Sequence, residues 1–427
     1  MAGFISHILR EETPLLHVAP ELAGKGTGTA SVQKTFGNIV IVTLGTGVLG
    51  LPFTFRVSGW AIGSISIVLS GALSYYCMML LVKCRDKLLS KGYGNVLTYG
   101  DLGYYAYGEV GRQSVDIVMI ISQCSCCVAY LIFIGHNLAS IFSGPPSLYS
   151  LFICGLIPFE ILLAFVRSLA ALAPFSIFAD VCNLLAMAIV IKDDFHVMKD
   201  FNKVKAFTGW NSMPFALGVA LYCFEGFGMT LPLEASLKEP QKFGQVLGLA
   251  FASITILYLG FGFSGYLAFG ETTLDIITLN LPNDWSIIAV KVGLCVALFF
   301  TFPVMMHPVY EIFERKLMIS GWFQKNVIPS PMRNTLVLNG LRSMLILITV
   351  FLAVCIPGFG AFISLVGGTV CAMLAFVFPA TFHLTIFRGS ISSWQATVDL
   401  SLIMFGALFT LYSTSIAFLD AYSAYKS

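Results

Sequence analysis

The sequence predicts an all-α polytopic membrane protein of eleven transmembrane helices. Ten form a 5+5 inverted repeat with helices 1 and 6 broken, and one extra helix follows at the C-terminus. Three observations predict this. Of 427 residues 57% are hydrophobic and 11% charged, with mean hydropathy +0.86, a balance that soluble globular domains do not show. Eleven apolar segments can each span about 30 Å of hydrocarbon at about 1.5 Å per residue. Segments 1 and 6 are interrupted by Gly and Pro at corresponding places, which points to a repeat with its site at the midplane.

The segments run over 34–57, 59–84, 112–143, 148–167, 174–192, 210–236, 246–270, 285–310, 335–356, 359–383 and 394–420. The first repeat occupies about 34–192, the second about 210–383, and the extra helix about 394–420; together 34–427 form one transmembrane domain. The tail 1–33 is polar and mixed in charge, so no cleavable signal peptide is expected and helix 1 doubles as the insertion signal. In this tail Glu11 to Leu16 reads EETPLL, with Glu11, Leu15 and Leu16 spaced like an acidic dileucine signal for sorting adaptors; the alternative is a chance match in a disordered tail. The Gly- and Tyr-rich stretch Tyr99–Arg112 is expected to be a structured surface connection.

Segment 1 contains TLGTGVLGLP, from Thr43 to Pro52, where a membrane helix should carry strong helix formers. A helix break at this depth frees backbone groups that lipid cannot satisfy, so it must be covered by protein or line a polar cavity. Segment 6 carries FEGFGMTLP, from Phe224 to Pro232, and the two Leu-Pro pairs stand 180 residues apart. One such stretch alone would be a packing kink. Two at positions 1 and 6 favour the repeat, with Gly50, Pro52, Gly228 and Pro232 as the expected helix-break residues.

The expected chemistry is recognition of a zwitterion. Gly45, Thr46, Gly47 and Val48 can present successive N–H groups at the positive end of the second half of helix 1, where a carboxylate fits. In segment 6, freed carbonyls near Cys223 and Phe224 can accept from an ammonium group, with Glu225 and Gly226 beside them. An α-amino acid is the commonest small zwitterion. Glu225 is an ionisable group in mid-membrane, by default functional, and is the candidate proton carrier; the other reading is a carboxylate bonded to the loosened backbone of its own helix. Tyr130, midway along segment 3, can either reach the site with its hydroxyl or serve in packing.

Other polar residues carry weaker expectations. Asp116 and Asp180 can pair with Arg112 or Arg167, Glu160 can sit on a helix interface, Lys291 can snorkel, and His136 and His307 belong to hydrogen-bonded packing. With a cytosolic N-terminus, 17 of the 24 Lys and Arg fall on the cytosolic side, and an odd number of spans leaves the C-terminus opposite.

Several classes are excluded. The 11 cysteines fall in or beside apolar segments and read as small packing residues, not a disulfide framework. Cys124, Cys126 and Cys127 lack a histidine cluster to complete a metal site. No HExxH, GxSxG or GxGD set supports an enzyme, and no filter-like repeat supports a channel. Neither a metal nor any cofactor is expected, apart from the proton as coupling ion.

GTGVLGLP and FEGFGMTLPLE, with CMMLLVKC at Cys77–Cys84, YGDLG at Tyr99–Gly103, YLIFIGHN at Tyr130–Asn137, KEPQKFGQVLGL and GYLAFG at Gly265–Gly270, resemble the amino acid/auxin permease family over nearly all the chain past Lys34. Within the family the chain is most similar to the plant tonoplast exporters of neutral amino acids, relatives of the proton-coupled lysosomal transporters. The resemblance implies a LeuT-like fold, a cytosolic N-terminus and proton symport of small neutral amino acids such as alanine and proline out of an acidic compartment, by alternating access. It implies that Gly45, Thr46 and Gly47 bind carboxylate, that Phe224, Glu225 and Gly226 form the helix 6 site, and that Tyr130 is the helix 3 tyrosine. Animal members carry a proton-linked histidine in early helix 1 where this chain has Asn38, so proton coupling is assigned here to Glu225. The competing reading is a sensor that binds the amino acid and signals through its tail.

Overall fold

The computed structural model describes residues 28–94, 96–142, 148–166, 181–182, 185–192, 204–327, 329–356 and 358–426. The expected sorting signal at Glu11, Leu15 and Leu16 lies outside them, as do Arg167 and Asp180. The segment expected over 174–192 is described only at 181–182 and 185–192, where it is helical.

The chain is all-helical and polytopic. Among the described residues, eight helices are long and apolar enough to cross a membrane, and a bent pair makes a ninth crossing. In chain order the α-helices are α1 (Val32–Thr43), α2 (Leu51–Ser58), α3 (Trp60–Ser90), α4 (Tyr99–Ile141), α5 (Leu148–Ala164), α6 (Met213–Cys223) and α7 (Thr230–Ser236). They continue as α8 (Phe243–Phe269), α9 (Trp285–Ile319), α10 (Gly321–Asn326), α11 (Pro331–Cys355), α12 (Phe359–Val366), α13 (Phe378–Ile386) and α14 (Ser393–Lys426).

One expectation is corrected at the start of α4. Tyr99–Arg112 is helical, not a surface connection, with a kink at Tyr107 and Gly108. Thr98 and Asp101 explain it: Asp101 Oδ2 accepts from the Leu97 and Thr98 N–H groups at 3.1 and 3.0 Å, and Thr98 Oγ1 accepts from Asp101 N at 3.2 Å. This reciprocal cap starts a helix despite the glycines that follow. Arg112 bonds Asp101 at 2.8 Å rather than serving Asp116 alone.

The chain divides into two compact units. One comprises Gln123–Ile189 and Leu281–Pro357, with the end of α4 and α5, α9, α10 and α11. Its polar centre is Arg342, which bonds Glu314 Oε1 and the Ala164 carbonyl, each at 2.7 Å, and lies over the Tyr310 ring. These contacts join α11 to α9 and to the end of α5. Lys291 does not snorkel: it is fully buried, and its Nζ donates to Asn283 Oδ1 at 2.9 Å and Ser140 Oγ at 3.1 Å. His136 stacks on Tyr149 at 4.8 Å, and His307 lies 3.5 Å from Glu311. Glu160 is fully buried.

The other unit comprises Val18–Ser122, Val190–Asn280 and Gly358–Ser427, and carries α1–α3, the start of α4, α6–α8 and α12–α14. Its tightest crossing is between α6 and the turns after α12. A Cβ on Gly367 would lie 1.8 Å from the Gly218 carbonyl oxygen, so the two backbones touch where no side chain fits. Two π-helical stretches, Gly367–Cys371 and Met373–Val377, continue α12 into α13, and α14 packs on them through Phe405 and Phe376. Asp275 caps α12 from a distant loop, its Oδ2 accepting from the Phe359 and Gly360 N–H groups at 2.9 and 3.3 Å. Asp275→Ala is expected to cost about 1 kcal/mol, read as a lower thermal midpoint in detergent, with Asp275→Asn retaining most of it.

Candidate functional site

Both breaks lie in the second unit. In the first, α1 stops at Thr43, Leu44 and Gly45 are non-helical, and a 3-10 turn, Thr46–Gly50, leads into α2. The two halves are bent by 50°. The break therefore falls at Leu44–Gly45, ahead of Gly50 and Pro52. Pro52 sits in the first turn of α2, six residues into the helical run 46–58, and does not interrupt it.

The second break has the same form. After α6 ends at Cys223, Phe224, Glu225 and Gly226 leave the helix, a 3-10 turn Phe227–Met229 follows, and α7 resumes at Thr230. Gly228 lies in the turn, while Pro232 lies inside the first turn of α7 and does not break it.

The two breaks meet. A Cβ on Gly47 would approach Tyr222 Cδ1 at 2.8 Å and Cys223 Sγ at 2.9 Å, so the first break is pressed against the end of α6. A Cβ on Gly226 would lie 3.7 Å from Val42 and 4.0 Å from Thr43 Oγ1, so the second break faces the end of α1.

Tyr258 on α8 ties them together, a residue that sequence reasoning missed. Its hydroxyl lies 2.8 Å from the Thr43 carbonyl oxygen and 3.0 Å from that of Cys223, the last residues of α1 and α6. One fully buried phenol thus serves the negative ends of both half-helices. Phe224 packs edge-on against the same ring at 5.2 Å and stacks on Phe251 at 5.6 Å.

Hydrogen-bonding capacity remains unspent here. Thr46, Gly47 and Val48 are buried at the start of the helical run 46–58, where leading N–H groups have no intrahelical acceptor. Thr46 Oγ1 is buried and without a partner among the described residues. On the other strand of the site, Glu225 is half-buried beside Gly226. The structure thus brings together Gly45, Thr46, Gly47, Val48, Cys223, Phe224, Glu225 and Gly226. Tyr130 belongs to the other unit, where it is buried.

Beyond the breaks, α7 is anchored at its far end. Glu234 pairs with Arg85 of α3, both largely buried. Leu237 forms a parallel bridge with Ala30, through Ala30 N to Ser236 O and Lys238 N to Ala30 O, each 3.0 Å.

The fold and the sequence have counterparts among known proteins. A substrate-bound outward-open Na+-coupled sialic acid symporter superposes with a TM-score of 0.55 at 12% identity, covering 96% of this chain and 92% of that one. The likeness concerns the fold, which is LeuT-like. The amino acid transporter ANT1 of Arabidopsis thaliana is 44% identical over 415 residues, 94% of this chain and 95% of the relative. The proton-coupled amino acid transporter-like protein pathetic of Drosophila melanogaster is 28% identical over 420 residues, 92% and 86% of the two chains. Residues 28–419 match the family model described as transmembrane amino acid transporter protein. The chain therefore belongs to the transmembrane amino acid transporter family, the amino acid/auxin permeases, a family of transporters rather than enzymes.

Proposed function

We propose that the chain is a secondary active transporter that couples proton flow to symport of small neutral amino acids such as alanine and proline, moving them across a vacuolar or lysosomal membrane toward the cytosol. The observation that carries this reading is the meeting of two helix breaks in a member of an amino-acid transporter family. The substrate carboxylate takes the N–H groups of Thr46–Val48 and the Thr46 hydroxyl, with Gly45, whose N–H bonds the Thr43 carbonyl at 3.0 Å, leaving room beside them, while its ammonium group takes carbonyls near Cys223 and Phe224.

Eleven spans, a cytosolic N-terminus and a lumenal C-terminus agree with the Lys and Arg distribution. Glu11, Leu15 and Leu16 then stand on the side where sorting adaptors act. Access alternates through movement of the bundle that carries both breaks.

Glu225 carries the proton. In proteoliposomes with an imposed proton gradient, labelled alanine is expected to accumulate; binding without accumulation would favour a sensor. In Glu225→Gln, gradient-driven uptake is expected to fall while counterflow exchange survives, because exchange needs no net proton movement. Unchanged gradient-driven uptake would remove Glu225 from this role.

A further inference from the structure

In the unit that carries both breaks, an acid and an imidazole meet on helices other than the broken pair. Asp399 lies on the outermost helix, α14, whose Trp394, Leu400, Met404 and Leu408 are exposed, yet Asp399 itself is fully buried. His383, on the last turn of α13, is 3% exposed. Its Nδ1 lies 2.6 Å from Asp399 Oδ2. The second carboxylate oxygen, Oδ1, is buried and has no hydrogen-bond partner among the described residues.

Among the described residues, no Lys or Arg pairs with this carboxylate. From α3, the uncharged Tyr76, Cys77 and Cys84 come close enough to sense the Asp399 charge. Lys83 is exposed, and Lys87 lies over the Phe387 ring at 5.5 Å. From α4, the Tyr99 hydroxyl donates to the Leu374 carbonyl, and the Tyr107 hydroxyl is engaged with Thr385. Among the described residues, only His383 makes a hydrogen bond to the carboxylate.

We propose that His383 and Asp399 form a proton-binding site separate from Glu225, joining the last helix of the second repeat to the extra helix. With a single proton between them, imidazole and carboxylate carry a net charge of −1 and leave one acceptor unspent. A second proton, bound at the other ring nitrogen, brings the pair to zero net charge. Proton binding forms one N–H bond and breaks none in the protein, so the site can load from water and unload to it. Buried charge with incomplete pairing is costly in hydrocarbon surroundings, so the occupied and empty forms differ in how tightly α14 is held. This inference does not rest on the transport reading, because it concerns proton binding and not substrate movement.

The test uses the full chain, with 15N-labelled histidine, in lipid nanodiscs. The His383 resonance is identified by its loss in His383→Asn, which keeps a donor near the Nδ1 position, and independently in His383→Gln should the first variant fail to fold. The resonance is expected to move between neutral and imidazolium forms as pH is stepped, and Asp399→Asn is expected to change the pH at which it does so. A resonance that holds one form throughout, or a midpoint indifferent to Asp399→Asn, overturns the proposal. The result stands whether or not alanine uptake proves proton-driven.

Discussion

Tyr258→Phe is expected to slow uptake at least tenfold while leaving the helices packed. The ring stays, so its contacts with Phe224 survive, and only the oxygen between the Thr43 and Cys223 carbonyls is lost. The Thr43 carbonyl keeps the Gly45 N–H at 3.0 Å, so the carbonyl left without a partner is that of Cys223; an orphaned buried carbonyl costs about 1–3 kcal/mol, and about 1.4 kcal/mol is a factor of ten. The cost falls on the geometry of the two breaks, since those carbonyls end α1 and α6. Initial rates in proteoliposomes, normalised to reconstituted protein, should show a lower maximal rate together with a raised half-saturating alanine concentration. Wild-type values for both would show that the half-helices hold position without the phenol.

Glu234→Ala is expected to be among the most destabilising single changes in the second unit. It strands the Arg85 guanidinium, whose side chain is 11% exposed, without its carboxylate. Removing one partner of a buried pair typically costs about 3–5 kcal/mol, whereas replacing both with apolar groups is often neutral. A strongly lowered thermal midpoint for Glu234→Ala, largely restored in Arg85→Met/Glu234→Leu, would establish the pair as a buried charge. If the double variant is no better than the single one, the loss comes from packing at the end of α7.

The helix breaks were legible because their cause is local: Gly45, Gly47 and Gly226 weaken a helix wherever they stand. What closes the site was not. Tyr258 sits in an apolar run, ILYLGF, and its partners are 215 and 35 residues away, so no spacing announces it. Proline misled about position: Pro52 and Pro232 mark the segments that break, yet each sits in the first turn of the helix that resumes. The capped start of α4 was readable at Thr98 and Asp101, but the Gly- and Tyr-rich stretch Tyr99–Arg112 outweighed two capping side chains. Asp399 escaped notice because it is only six residues into its helix, where a carboxylate ordinarily reaches water; here the neighbouring helices cover it.

The bridge between Ala30 and Leu237 makes the chain's beginning a leash on its middle. Two backbone hydrogen bonds fasten residue 30 to the end of α7, ten residues after Gly226. A partner that tugs on the tail therefore tugs on the broken helix itself, without touching a single residue of the pocket.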